Sequence, residues 1–426
     1  MSLLINIIPL IIVVALLFLK KHMLVAGLAG GAAAVINGGL GRGDVTGLFI
    51  GGVSGMLGIT VPILYAAAAA MVSKAGSIEA LVELSKRGFK GKIAIIGGLM
   101  VLIQGFATYM AGLGAGNTMV TAPLIAAALG AVPEVVAAMA IITAVGFTTS
   151  PASTETVLAA ESAGVDVVVH ASNMMPYTII FYILAFALAV YGVRKRGTLI
   201  TKSKEERNLF AEKTTGNLIR QSTPAIALLV MVVLGSRING LIGFTLFTPA
   251  VTVILTAILT VLLTHMNSDE TSEALIDGSK FILTTMFSVG IFLAFINMIA
   301  ALGTFEQIAG LAGSAPEGII LPVAMIIAFL IAIPSGAFTA GVLTLILPTL
   351  SVLGLPSEAM GFVAIATGLG TQISPVQINV VALAKGFETD IIGVIRMNFR
   401  FVMAAMLLLI IMAVVVVYIK ILTCVV

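Results

Sequence analysis

The chain has 426 residues, 60% of them apolar and 10% charged, with a mean hydropathy of +1.19 and a formal net charge of +3. A soluble domain carries about 25% charged residues, so composition places most of this chain in lipid or inside a membrane bundle, and the small net charge gives no reason to expect nucleic acid. The single Cys424 and the histidines His22, His170 and His265, all near predicted membrane edges, supply neither a disulfide framework nor metal-ligand spacing.

A helix needs about 20 apolar residues to cross the hydrocarbon core. Spans are predicted near 3–19, 23–38, 46–71, 135–163, 174–193, 222–237, 240–264, 281–302, 357–384 and 397–419. The first is read as a span and not a signal peptide, because its positive charges follow the apolar run and no small-residue cleavage site stands out. Stretches 92–131 and 316–350 read as helix–break–helix, either re-entrant hairpins or pairs of full spans. Segments 74–90 and 303–314 read as amphipathic arms along the interfaces. Loop 198–219, with Lys202, Lys204, Glu205, Glu206 and Arg207, is the water-soluble linker.

Residues 130–166 and 354–390 repeat one another 224 positions apart, with 11 identities in 37 ungapped positions. The identities include Gly130/Gly354, Glu134/Glu358, Thr143/Thr367, Gly146/Gly370, Ser150-Pro151/Ser374-Pro375 and Asp166/Asp390. They fall on Gly, Pro, hydroxyl and acidic residues as well as on interchangeable aliphatics, so they mark an internal repeat. A second match pairs Gly76 and Glu79 with Gly303 and Glu306.

The predicted organisation is therefore a first repeat, 1–193, a basic linker, 194–221, and a second repeat, 222–426. The first repeat holds scaffold spans 1–71, an arm 72–91, a hairpin 92–131, a broken helix 135–163 and a span 174–193. The second holds scaffold spans 222–302, an arm 303–315, a hairpin 316–350, a broken helix 357–384 and a span 397–419. With the linker in the cytoplasm, 19 Lys and Arg fall inside and only Arg42, Arg237 and Lys420 outside, which satisfies the positive-inside rule. Both termini are then outside. The repeats enter the membrane from opposite faces, the inverted arrangement common among secondary transporters. The expected fold is all-α and polytopic, with about 10 transmembrane helices and two re-entrant hairpins.

No enzyme signature occurs; there is no zinc-protease helix, nucleotide loop or nucleophile elbow. The informative residues lie at four polar breaks. These are Gly116, Asn117 and Thr118; Gly146, Ser150, Ser153 and Thr154; Ser335 and Thr339; and Gly370, Thr371, Gln372 and Ser374. Broken backbone in a bilayer needs protein or a watery cavity around it. The N-terminus of a resumed helix suits a carboxylate, and the preceding carbonyls suit an alkali cation. Span interiors hold almost no Lys or Arg, so an anion must be met by hydroxyls, amides and helix ends. One Na+ is expected near Asn117, Gly146 and Ser150, a second near Thr339, Gly370 and Ser374, and substrate between them.

Glu155 is the exceptional acid at membrane depth, and Glu161 and Asp166 lie nearer the outer edge. Glu155 carries a proton in the alternative coupling scheme, ligates a cation, or caps the helix that follows the break. The bland alternative for the breaks is packing kinks sealed by Ser and Thr, as in a membrane scaffold or receptor that transports nothing.

Ser150-Pro151-Ala152-Ser153-Thr154-Glu155-Thr156-Val157-Leu158-Ala159-Ala160-Glu161 resembles the Ser-Pro and acidic-Val-Val-Leu-Ala-Ala pattern of the anaerobic C4-dicarboxylate carrier family. The order of spans and hairpins more loosely resembles gluconate and citrate permeases and the divalent-anion/sodium symporters of the ion transporter superfamily. In those symporters, Ser-Asn-Thr motifs at hairpin tip and broken helix hold carboxylate and sodium. Gly116 stands where the first of those serines would be, and the second half has no Ser-Asn-Thr. The resemblance implies a homodimeric elevator transporter in the cytoplasmic membrane, moving a small organic anion, preferably a C4-dicarboxylate, with Na+ or H+. A sodium/proton antiporter and a gluconate, citrate or lactate permease are the alternatives within transport.

Overall fold

The computed structural model describes residues 3–19, 21–57, 60–88, 92–112, 114–151, 153–199, 210, 212–316, 319–336, 339–351 and 355–424. Lys202, Lys204, Glu205, Glu206 and Arg207 of the linker, Ala152 of the first break and Gly354 of the repeat lie outside them. The described residues are helical apart from turns and one isolated bridge. There Leu199 N–H donates to the Leu129 carbonyl at 2.7 Å, tying the start of the linker to the first hairpin.

The first half opens with α1 (Leu3–Phe18), α2 (Met23–Gly38), α3 (Arg42–Leu57) and α4 (Thr60–Lys74). It continues with α5 (Ser77–Gly88), the pair α6 (Ile93–Ala111) and α7 (Ala115–Leu129), then α8 (Pro133–Thr149), α9 (Thr154–Ser162) and α10 (Val167–Arg196). The second half holds α11 (Thr215–Ile242), α12 (Pro249–Leu263), α13 (Ser268–Ala300) and α14 (Thr304–Gly313). The pair α15 (Ile320–Ser335) and α16 (Thr339–Ser351) follows, then α17 (Ser357–Thr371), α18 (Ile378–Gly386) and α19 (Ile391–Cys424).

The 224-residue spacing reappears in the helices. Helices α7, α8, α9 and α10 begin at 115, 133, 154 and 167, and α16, α17, α18 and α19 begin at 339, 357, 378 and 391. Punctuation repeats with them. The αL residue Gly112 closes α6, and Gly336 closes α15. Asp166 caps α10 by accepting from Val168 N–H at 2.8 Å, while Asp390 accepts from Gly393 N–H at 2.8 Å at the start of α19. Each carboxylate satisfies an N–H that a helix start leaves without an intrahelical partner.

Packing follows the same correspondence. Helix α6 lies on α8 as α15 lies on α17, and α10 lies on α8 as α19 lies on α17. Across the halves α7 packs on α18 as α16 packs on α9, and α5 lies against α11 as α14 lies against α1. Helices α8 and α17 form the centre and are buried along nearly their whole length. They touch closely at Gly368, where an added Cβ would stand 2.7 Å from Thr148 Cγ2 and 3.1 Å from the Ala144 carbonyl oxygen. Around this centre α13 packs on α2, α3 and α4, and α12 packs on α4 and α11.

Large apolar side chains cover the outer helix faces, with Ile36 80%, Leu241 86% and Ile183 60% exposed. Faces of this kind suit lipid, and this is an all-helical membrane protein. Spans are distributed differently from the sequence expectation. By length and apolarity only Val167–Arg196 and Ile391–Val416 qualify as single straight spans among the described residues. The bent pairs Pro133–Thr149 with Thr154–Ser162, at 51°, and Gly290–Ala300 with Thr304–Gly313, at 63°, qualify as pairs. Several expected spans are helices of 15 or 16 residues, and 46–71 falls on two helices, α3 and α4. At 1.5 Å rise per residue these reach only about 24 Å, less than the hydrocarbon thickness of about 30 Å. Helices α1 and α2 coincide with the expected 3–19 and 23–38 almost residue for residue, so the difference lies in their reach and not in their place along the chain.

Candidate functional site

Two helix breaks lie beside the buried centre, and each is lined by hydroxyls and amides. At the first, Thr148 and Thr149 donate to the Ala144 and Val145 carbonyls at 2.8 Å each, sealing the last turn of α8 from within. Thr178 on α10 donates to Thr149 Oγ1 at 2.8 Å. Ser150 leaves the helix in an extended conformation, and its hydroxyl donates to the Tyr109 carbonyl near the end of α6. Ser153 caps α9, its Oγ accepting from Thr156 N–H at 3.2 Å and bonding Thr156 Oγ1 at 2.9 Å. Ser150 and Ser153 are buried, whereas Thr154 is exposed.

Glu155 is half-buried. The N-cap of α9, one of the places expected for Glu155, is taken by Ser153. Ser153 stands at the N-cap position, from which a short side-chain oxygen reaches the free N–H groups of the first turn, and Glu155 lies one residue inside the helix start. Asp166, expected at the outer edge as a solvated acid, is exposed and serves as the cap of α10.

At the second break Thr371 donates to the Gly368 carbonyl at 2.7 Å, and Gln372 Nε2 donates to Thr371 Oγ1 at 3.0 Å. Ser374 Oγ accepts from Val376 N–H at 3.2 Å and lies directly against Gly336 at the tip of the second hairpin. The second hairpin and second break therefore meet. Ser335 and Thr339, on either side of that tip, are each 5% exposed. Gly370 packs on the Phe329 carbonyl of α15, and Gly146 lies under the Tyr182 hydroxyl, which donates to the Gly105 carbonyl at 2.6 Å.

A polar chain joins the halves. Thr121 donates to Gln104 Oε1 at 2.5 Å, and Gln104 Nε2 donates to Thr118 Oγ1 at 2.6 Å and Thr143 Oγ1 at 3.2 Å. Thr118 donates to Asn379 Oδ1 at 2.6 Å, and Asn379 Nδ2 donates to Gln372 Oε1 at 2.7 Å. Asn398 on α19 then donates to the Gln372 carbonyl at 3.0 Å. All of these side chains are buried, as is Asn117, whose carbonyl accepts from Thr121 at 3.1 Å. A buried amide without partners costs about 1–3 kcal/mol, so these contacts fix the geometry of α6, α7, α17, α18 and α19 around the breaks.

Sequence reasoning named Thr118 and Gln372 but missed Gln104, Asn379 and Asn398, the lone amides inside apolar helices that connect them. His170 is fully buried, and neither ring nitrogen has a hydrogen-bond partner among the described residues. The Glu134 carboxylate, 3% exposed, is held by Arg196 Nε at 2.7 and 2.9 Å from its two oxygens. Among the described residues no group of three or more His, Cys, Asp and Glu gathers to hold a metal ion. The breaks present neutral oxygens, amides and helix ends, a set that can solvate a small ion without a fixed opposite charge.

No family model matches the chain, and no curated protein is significantly similar to it. Among solved structures, the crystal structure of the Alcanivorax borkumensis YdaH transporter, described as having an unusual topology, is similar at 15% sequence identity. The alignment covers 88% of this chain and 89% of that one, with a TM-score of 0.41.

Proposed function

We propose that the chain is a secondary active transporter that moves a small carboxylate, a C4-dicarboxylate by preference, across the cytoplasmic membrane together with Na+. The observation that carries this reading is the pair of helix breaks, 224 residues apart in register, the second tied to the first half's hairpin by the buried Thr118–Asn379–Gln372 chain. Inverted repeats place broken helices near the bilayer midplane, where their ends meet substrate and coupling ion. The reciprocal packing of α7 on α18 and α16 on α9 supports such a pseudo-two-fold arrangement. The anion is met by neutral donors at the hairpin tips and breaks, from Asn117, Thr118, Ser150, Ser153, Ser335, Thr339, Thr371, Gln372 and Ser374. Thr154, exposed, lines the approach.

Two cations carried with a dianion offset the cost of moving its charge through a medium of low dielectric. Their ligands are the carbonyls and hydroxyls near Gly146 and Ser150 in one half and near Gly370 and Ser374 in the other. Hairpins and broken helices α6–α9 and α15–α18 move as a unit against a scaffold that includes α2, α3, α4 and α13, and two copies share the scaffold surface. Uptake of radiolabelled succinate, malate, citrate, gluconate and lactate into proteoliposomes tests the reading. Gradient-driven uptake or counterflow of at least one acid supports it, and none with any of the five removes it.

A further inference from the structure

Glu388 is the one non-glycine residue with positive φ among the described residues, at +51°. Its repeat counterpart, 224 positions earlier, is Gly164, at +66°. The two close equivalent helices with equivalent bonds. Gly164 N–H donates to the Glu161 carbonyl and Val165 N–H to the Ala160 carbonyl; Glu388 N–H donates to the Lys385 carbonyl and Thr389 N–H to the Ala384 carbonyl. This is the helix-ending turn whose left-handed position glycine fills without strain. At α9 the turn has its glycine. At α18 it carries a glutamate, which strains the backbone there, and strain of this kind gathers at gates and ligand clamps.

Glu388 stands on a cleft. Two cavities, of about 380 and 240 Å³, share Ser73, Pro123, Gly386 and Glu388 and run between α4 on one wall and α7 and the end of α18 on the other. Lys74, the last residue of α4, lines the larger cavity from the wall opposite Glu388. The other charges around the cleft are Lys385, on Glu388's own side, and Glu79 on α5. Asp277 on α13 acts electrostatically on Lys74 and is paired with Lys280 at 2.7 Å. Resting on the proposed function, which assigns α4 to the scaffold and α7 and α18 to the moving unit, the cleft is the cytoplasmic seam between them.

We infer that Glu388 is a gating residue, whose carboxylate latches this seam by pairing with Lys74 when the cleft closes. The backbone strain keeps the carboxylate at the mouth, where a glycine would leave the seam unlatched.

The test uses the full chain with Cys424→Ser in proteoliposomes. Lys74→Cys with Glu388→Cys is expected to form a disulfide under mild oxidation and to arrest exchange until reduced. Lys74→Glu and Glu388→Lys are each expected to slow exchange about fivefold, and the double reversal to restore most of it. Glu388→Gly is expected to raise the melting temperature while slowing exchange, which separates the latch from a merely structural role. Absence of the cross-link, or full exchange in Glu388→Gly, overturns the latch. Cross-linking requires no substrate. If the parent carries no organic acid the transport reading fails, while the cross-link still decides whether the two side chains meet.

Discussion

Thr118 and Asn379, 261 positions apart in the chain, share a 2.6 Å hydrogen bond that joins the first half's hairpin to the second half's broken helix. Asn379 passes the connection on to Gln372 at 2.7 Å, so one amide holds a hydroxyl and a second amide in register deep inside the protein. Replacing it leaves the buried Gln372 Oε1 without its donor, at about 1–3 kcal/mol, while Thr118 keeps Gln104 and the Gly114 carbonyl. Asn379→Ala is expected to lower the melting temperature in detergent and to abolish uptake. Asn379→Gln, which keeps both bonding functions but is longer, should fold better than Ala and still transport poorly.

The second break depends on close backbone approach. A methyl group at Gly370 would meet the Phe329 carbonyl oxygen and stand 3.0 Å from Ala332 Cβ, whereas at Gly310 nothing lies within 4 Å. Overpacking of this kind costs about 1–3 kcal/mol. Gly370→Ala should reduce the melting temperature and uptake together, and Gly310→Ala should change neither, as thermal unfolding and transport assays on the two variants will show.

The repeat register was legible because its markers are residues whose chemistry is tied to a backbone position. Ser150-Pro151 and Ser374-Pro375 mark the breaks, and Asp166 and Asp390 stand at the starts of α10 and α19. Matching the two halves brings such residues forward. The same procedure discards amides without a counterpart. Gln104 aligns with Ala328, Asn379 with Glu155 and Asn398 with Met174, so the connecting residues of the polar chain stood out in neither half. Their importance comes from contacts across the halves, which a one-dimensional comparison does not contain. For Glu155 the sequence marks a place in the first turn of α9 but does not say which residue caps that helix.

Beside the donor role proposed for it at the substrate, Ser153 supports local structure. Its Oγ accepts from Thr156 N–H at 3.2 Å and satisfies the start of α9. Loss of an N-cap costs about 1 kcal/mol. Ser153→Ala should therefore lower stability modestly, and Ser153→Asp, which preserves the acceptor, should recover it. Both are read by thermal unfolding in detergent.

Arg196 holds the Glu134 carboxylate with Nε at 2.7 and 2.9 Å, and Glu134 is 3% exposed. Removing the guanidinium leaves a buried charge without its partner, a larger loss than that of an exposed pair. Arg196→Ala is expected to destabilise the protein more than Arg194→Ala, the nearby arginine on the same helix. Glu134→Gln together with Arg196→Ala should recover part of the loss, in a thermal-shift double-mutant cycle.

Coupling of a carboxylate to sodium is the centre of this account, and uptake of labelled succinate into proteoliposomes measures it most directly. Sodium outside is replaced by choline at pH values from 5.5 to 8, and the same series is run on Glu155→Gln. Sodium coupling predicts uptake that requires the sodium gradient, survives a protonophore, changes little across this pH range and persists in Glu155→Gln. Uptake that continues in choline, follows the proton gradient and disappears in Glu155→Gln would contradict it, because the paired breaks would then not be cation sites and the half-buried carboxylate would be the coupling group.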